Sequence, residues 1–104
     1  MIINVYAIHD SKAHSYLQPF FMHNDDLAIR SFTDASMNTE SQFNQHPLDY
    51  TLFHIGTYDD ETSIITAVAP PNMLITSALA ITKANETIKA MARLSIDKET
   101  NNEK

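Results

Sequence analysis

The stretch His46-Pro-Leu-Asp-Tyr-Thr-Leu-Phe-His-Ile-Gly-Thr-Tyr-Asp-Asp-Glu-Thr-Ser-Ile-Ile65 decides how this chain folds. From Tyr50 to Tyr58 the residues alternate. Tyr50, Leu52, His54, Gly56 and Tyr58 fall on one side of a strand, and Thr51, Phe53, Ile55 and Thr57 on the other. Asp59-Asp60-Glu61-Thr62 has the composition of a turn, and Ser63 to Ala69 reads as the returning strand of a hairpin. Gly56, the only glycine among 104 residues, therefore lies inside a strand rather than at its turn. A glycine so placed marks a bulge, or a point where a helix or a ligand approaches the backbone. The simplest expectation is a helix packed over the missing side chain at Phe32.

Outward from the hairpin, residues 2–9 alternate with Ile2, Tyr6 and Ile8 on one face and Ile3, Val5 and Ala7 on the other. Two apolar faces indicate a central strand. His9 to Gln18 is polar and reads as an exposed loop, and Pro19-Phe-Phe-Met22 as a short extended piece entering the core. Asn24 is an N-cap, Asp25 and Asp26 suit the positive end of a helix dipole, and Ala28, Ile29, Phe32, Ala35 and Ser36 keep helical spacing. These signals predict a helix over 24–37. The polar run Asn38 to Gln45 reads as a loop.

On the far side, Pro70-Pro71 is expected to end the hairpin. Met73 to Ile81 is apolar and reads either way. Ile88, Met91, Ala92, Ser95 and Ile96, behind a cap at Asn85, predict a second helix over 85–97, with one longer helix from Asn72 as the competing reading. Residues 97–104 are polar and expected to fray. The fold class is thus α+β: a small antiparallel or mixed sheet with strands at 2–9, 50–58 and 63–69, a helix at 24–37 packed on it, and a C-terminal helix at 85–97. Residues 1–83 form a single domain and 84–104 a helix with a polar tail. The stripe Ile88, Met91, Ala92 and Ile96 is more apolar surface than so small a core covers, which makes a homodimer an expectation.

One core is all that 104 residues support. The chain has no cysteine, which removes disulfides, thiolate metal sites and cysteine nucleophiles and fits a reducing interior. Its first residues lack a secretory leader pattern, and no window approaches the roughly 20 apolar residues of a membrane span. The net charge of −6 is uneven. Residues 1–75 carry nine acids against Lys12 and Arg30, for −7, while 76–104 carry four acids and five bases, for +1. An acidic body disfavours non-specific polyanion binding, which draws on neutralised phosphates.

The five histidines, His9, His14, His23, His46 and His54, show no ligand spacing on one element, so no metal site is expected. Asp59, Asp60 and Glu61 have the composition of an exposed turn, not of a buried acid and base. A single glycine rules out phosphate-cradling and dinucleotide motifs, no serine has a nucleophile's setting, and no enzyme activity or cofactor is expected. The aromatics are more informative. Tyr6, Phe20, Phe21, Tyr50, Phe53 and Tyr58 lie on or beside strands, the arrangement by which a sheet surface stacks unpaired bases. The expected nucleic-acid-binding residues are Tyr6, Phe20, Phe21 and Tyr58 with Lys12 and Arg30, joined by Lys83, Lys89 and Arg93 if the second helix folds back across the sheet.

Four segments, Val5-Tyr-Ala-Ile-His-Asp-Ser-Lys12, Tyr16-Leu-Gln-Pro-Phe-Phe21, Ala28-Ile-Arg-Ser-Phe32 and His46 through Asp59 with its HPxDYxLxxIGxxD pattern, resemble the small nonstructural protein of gokushovirus-like microviruses over about residues 1–80. The resemblance implies a non-virion protein of a single-stranded DNA phage, at work in the host bacterial cytoplasm. Its implied role is to bind single-stranded DNA and favour single-strand genome synthesis and packaging over duplex replication. It implies no catalytic residue. Where the family often carries arginine this chain has His9, and the usual threonine-glycine of the hairpin turn is Thr62-Ser63. A second function in keeping with the acidic body is a regulator that contacts the phage replication initiator or the assembling capsid without gripping DNA.

Overall fold

The computed structural model describes the backbone of residues 1–102 and the side chains of residues 1–95. Strand β1 (Ile2–Asp10) pairs along one edge with both β2 (Ser15–Tyr16) and β3 (Phe20–Met22). Its other edge pairs with β4 (Tyr50–Asp59), and β5 (Ile65–Thr76) follows, all antiparallel, so that β1 and β4 are the central strands. Helices α1 (Asp25–Met37), α2 (Gln42–Gln45) and α3 (Ser77–Asn102) complete the α+β fold.

Local chemistry explains the helix starts. The Asn24 side chain accepts from the Leu27 amide at 2.9 Å, with Asp25 and Asp26 in the first turn of α1. Thr76 Oγ1 accepts from the Leu79 amide at 3.1 Å at the head of α3. The helix expected over 85–97 thus begins at Ser77, with Asn85 inside it. The competing start at Asn72 also fails, because residues 72–76 are strand. α3 crosses the boundary drawn at 83/84 without a break, and the expected fraying of 97–104 concerns side chains, and from residue 103 a backbone, outside the described residues. The expected loop at 38–45 contains α2, capped by Ser41, and within the expected loop at 9–18 the end of β1 and all of β2 are strand, joined by a turn at 11–14 that brings Tyr16 back onto His9.

Every core contact of the helices is with one face of the sheet. Tyr6, Leu52, Tyr50 and Ile75 from the strands meet Ala28 and Phe32 of α1 and Ala80 of α3, with the Phe43 ring of α2 tilted against Phe32 at 5.5 Å and edge-on to Tyr50 at 4.9 Å. The Tyr6 hydroxyl donates to Asp25 Oδ1 at 2.7 Å, and burial together with that carboxylate pushes its pKa upward. Where α1, α2 and α3 converge, the buried hydroxyls of Ser36 and Ser77 lie 2.9 Å apart, and Ser77 donates to the Phe43 carbonyl at 2.7 Å. Two polar side chains are thereby satisfied inside the core.

Gly56 lies beside a bulge, one of the readings its place in the strand allowed, but the backbone that approaches it is a strand and not the helix expected at Phe32. Val5 pairs with Gly56 and Tyr6 with His54, so Ile55 is an extra residue in β4, a β-bulge. A Cβ at Gly56 would stand 2.7 Å from the Thr66 carbonyl oxygen of β5, and no atom of Phe32 is among the nearest. The glycine admits a neighbouring strand, not a helix. On the β5 side, Ala67 pairs with Gly56 and Asn72 with His54, so residues 68–71 loop out of the ladder opposite the bulge. Pro70 and Pro71, which lack amide donors, sit in that excursion on an edge strand, where no ladder bond is lost. The strand then resumes to Thr76 instead of ending at Ala69. Ser63 at the hairpin turn takes a φ of 63°, a left-handed conformation that glycine adopts freely.

Gly56→Ala should therefore destabilise the protein by about 1–3 kcal/mol, as overpacking against fixed backbone does. The comparison is urea unfolding of the variant against the parent chain, and equal midpoints would overturn the close-approach reading.

Candidate nucleic-acid interface

The bulge at Ile55 decides what the second face of the sheet presents. Paired residues share a face, so Ile3, Val5, Ala7 and His9 of β1 stand with Tyr16 of β2, Phe21 of β3, Thr51, Phe53, Gly56 and Tyr58 of β4, and Ile65, Ala67, Met73 and Thr76 of β5. Simple alternation would have put Gly56 and Tyr58 with Tyr50 and Leu52. The extra residue sends them to the opposite side.

None of the helices' core contacts lies on this second face, and its rings form two groups. His9, Tyr16 and Phe53 meet edge-on, with Tyr16 4.8 Å from His9 and 5.7 Å from Phe53 between centroids. Phe21 and Tyr58 meet at 5.8 Å. The partner of Phe53 on β1 is Ala7 and that of Tyr58 is Ile3, four residues apart, so the groups stand about 13 Å from each other along the strand. Between them Val5 and Ala7 are buried, at 6% and 1% exposure, although no helix covers them. Tyr16 and Phe21 are open to solvent, at 46% and 53%, while His9, Phe53 and Tyr58 are half-buried. Every ladder position on this face lacks a carboxylate, an ammonium or a guanidinium, and His9 is the only titratable group besides the two tyrosines.

The acids lie elsewhere. Asp25 and Asp26, with Asn4, Asn24 and His54, line a hollow of about 460 Å³ on the helix-bearing side, where His54 Nε2 is buried without a hydrogen-bond partner. Asp60 and Glu61 flank the hairpin turn beside the N-terminal ammonium, with Asp60 at 2.7 Å, and that carboxylate raises the ammonium's pKa. Among the described residues no cluster of three or more His, Cys, Asp or Glu side chains is placed to hold a metal ion.

Of the nine residues singled out in the sequence, Phe21 and Tyr58 are brought together on the open face. Tyr6 is not available to a base: it is fully buried, stacked on Phe20 at 5.8 Å and tilted against His54 at 5.1 Å. Phe20 is half-buried on that same inner side, because alternate residues of β3 point to opposite faces. Arg30 is exposed on α1, and Lys83, Lys89 and Arg93 on α3. Since α3 packs on the inner face through Ala80, it does not fold back across the rings. Lys12 lies in the turn that joins β1 to β2, between His9 and Tyr16 in the chain, and is the cation of the nine nearest in sequence to those rings. His9 and Tyr16 were missed, and Phe53, although among the strand-borne aromatics, was left out of the expected binding set. Tyr16 sits in a polar stretch, and alternation alone separates Phe53 from Tyr58.

A two-layer α+β protein with helices on one side of an antiparallel sheet and a bare, ring-lined surface on the other is the class this geometry defines. The chain belongs to the family described as Phage ORF5 protein, whose model matches residues 3–81, and it is a bacteriophage protein. Neither a curated protein nor a solved structure is detectably similar to it. Among the described residues, no helix is long and apolar enough to cross a membrane.

Proposed function

We propose that this phage protein binds single-stranded DNA on the open face of its sheet and, in a microvirus of the gokushovirus kind, holds the genome strand single during its synthesis and packaging. It acts by binding, without catalysis or cofactor, in the host bacterial cytoplasm and outside the virion. The observation that carries the reading is the uncovered face itself, with Tyr16, Phe53, Phe21 and Tyr58 in two ring groups and no carboxylate among them. Unpaired bases offer π-faces to such a surface whatever their sequence, and each stacked base contributes about 1–3 kcal/mol. Duplex DNA keeps its bases stacked inside and gains nothing from it.

The placement of the cations sets the salt dependence. Four or more phosphate contacts would give a log–log slope near −3, at roughly −0.7 per contact for single strands. With Arg30, Lys83, Lys89 and Arg93 on the helix layer, Lys12 is the cation left among the described residues to meet the backbone, so the expected slope from these residues is about −0.7. Fluorescence anisotropy of a labelled oligothymidine at two ionic strengths, with a duplex of equal length as control, tests this. Binding that is single-strand-selective and weakly salt-dependent supports the reading, and no binding at low salt overturns it.

The alternative of a regulator docking the replication initiator or the capsid draws on the acid-lined hollow at Asp25 and Asp26, which suits a basic protein segment better than a phosphate. Strand addition to the hairpin has less support, because residues 68–71 interrupt the free edge of β5 with two prolines. Pull-down from infected extract after nuclease treatment separates the two functions, since a protein contact survives nuclease and a DNA bridge does not.

A further inference from the structure

α3 is longer than the body it packs on. Its 26 residues span about 39 Å. The chain has a radius of gyration of 17.6 Å, against about 13 Å for a compact domain of 100 residues. Ala80 is buried and Ala84 half-buried, whereas residues 85–95 are all exposed. Among the described residues, every side chain of the helix beyond Thr87 is exposed.

Both halves nevertheless carry one stripe. Ala80, Ala84, Thr87, Met91 and Leu94 recur at spacings of four, three, four and three, which keeps them on one side of the helix, with Ile88 along its margin. In the proximal half this stripe forms the floor of a groove of about 280 Å³, walled by Ile29 and Thr33 of α1 and by Leu74 and Leu79. Its residues there are small: alanine, alanine, threonine. In the distal half they are large, and Ile88, Met91 and Leu94 are 55%, 62% and 62% exposed. One end is a hollow without an occupant, and the other is a set of side chains without a hollow.

We propose that two copies of this chain pair through α3 in antiparallel fashion about a two-fold axis near Ile88, each inserting Met91 and Leu94 into the groove floored by Ala80, Ala84 and Thr87 of the other. A two-fold interface requires that each contact be made twice, and a stripe that is small at one end and large at the other meets this condition only when reversed. The charges agree. Glu86, Lys89 and Arg93 lie off the stripe, while Lys83 borders the groove. Antiparallel pairing puts the two Lys83 ammoniums at opposite ends of the interface, whereas parallel pairing sets them side by side. The contact is confined to one helix per copy and the groove beside it, the small end of specific interfaces at below about 1,200 Å² in total, so the dimer is a weak, concentration-dependent one. This inference rests on α3 alone and stands whether or not DNA binds the sheet.

The stripe differs from the one expected from sequence. Ala92 lies off it, and Ile96 is outside the residues whose side chains are described.

Sedimentation equilibrium of the full chain over micromolar to millimolar concentrations should show a monomer–dimer equilibrium. Met91→Glu with Leu94→Glu should leave it monomeric throughout with an unchanged thermal midpoint, since both side chains are exposed in the single copy. The absence of native cysteine makes orientation testable. Under oxidising conditions, a mixture of Ala84→Cys and Leu94→Cys chains should cross-link to each other in preference to cross-linking to themselves. A parent chain that stays monomeric to millimolar concentration, or Leu94→Cys chains that pair chiefly with their own kind, would overturn the proposal.

Discussion

Phe32→Ala should lower the unfolding free energy by about 3–5 kcal/mol, a large part of the 5–15 kcal/mol that holds a domain of this size together. Phe32 is 2% exposed and stands where three elements meet, in one cluster with Tyr6 and Leu52 of the sheet, Ala28 of its own helix and Ala80 of α3, with the Phe43 ring 5.5 Å away. Removing the ring opens a cavity between a helix and a sheet. The surrounding strands are held in register by ladders on both sides of β4, which pair Leu52 with both Ile8 and Ile75, and cannot easily close over it. Urea unfolding followed by circular dichroism measures the loss. A change below about 1 kcal/mol, the scale of an ordinary surface substitution or less, would mean that the helix layer is not seated on Tyr6 and Leu52 as described.

Much of this seam was legible in the sequence, because it depends on signals only a few residues apart. Asn24 and the acids after it state where α1 begins, and the spacing of Ala28, Phe32 and Ser36 states which side of it is inside. The alternation of residues 2–9 gave a central strand for the same reason. What escaped was set by contacts between distant segments. Gly56 signalled a bulge or a close approach, but nothing in the chain says which residue β1 skips, and that one inserted residue, Ile55, turns Gly56 and Tyr58 from the inner face to the outer one. The two prolines read as a terminus because proline cannot donate to a ladder, but on an edge strand, opposite a bulge, the missing donor has no partner to lose. The apolar run from Met73 to Ile81 holds both the end of a strand and the start of a helix, and periodicity does not mark the border between them.

The same bulge is why the candidate site was legible only in its type. Aromatic residues on strands pointed to a stacking surface, but which rings share a face depends on register. Phe21 and Tyr58 fell together, Tyr6 and Phe20 turned inward, and His9, Tyr16 and Phe53 joined from positions that local pattern had set apart.

Removing one exposed ring from each group is the sharpest functional consequence of that register. Tyr16→Ala combined with Phe21→Ala should weaken binding of oligothymidine by about 2–6 kcal/mol, or roughly 30-fold to 20,000-fold, if each ring stacks one base. Both side chains are about half exposed, so the fold should tolerate their loss, and an unchanged circular dichroism spectrum is the check on this. Two further variants locate the strand. Lys89→Gln with Arg93→Gln should leave the affinity within about twofold, because those cations lie on the helix layer away from the rings. Lys12→Gln should flatten the salt dependence by about 0.7 in log–log slope, the contribution of one phosphate contact. If instead the ring variants bind as the parent does and the α3 variants lose affinity, DNA runs along the helix layer and the bare sheet face serves another partner.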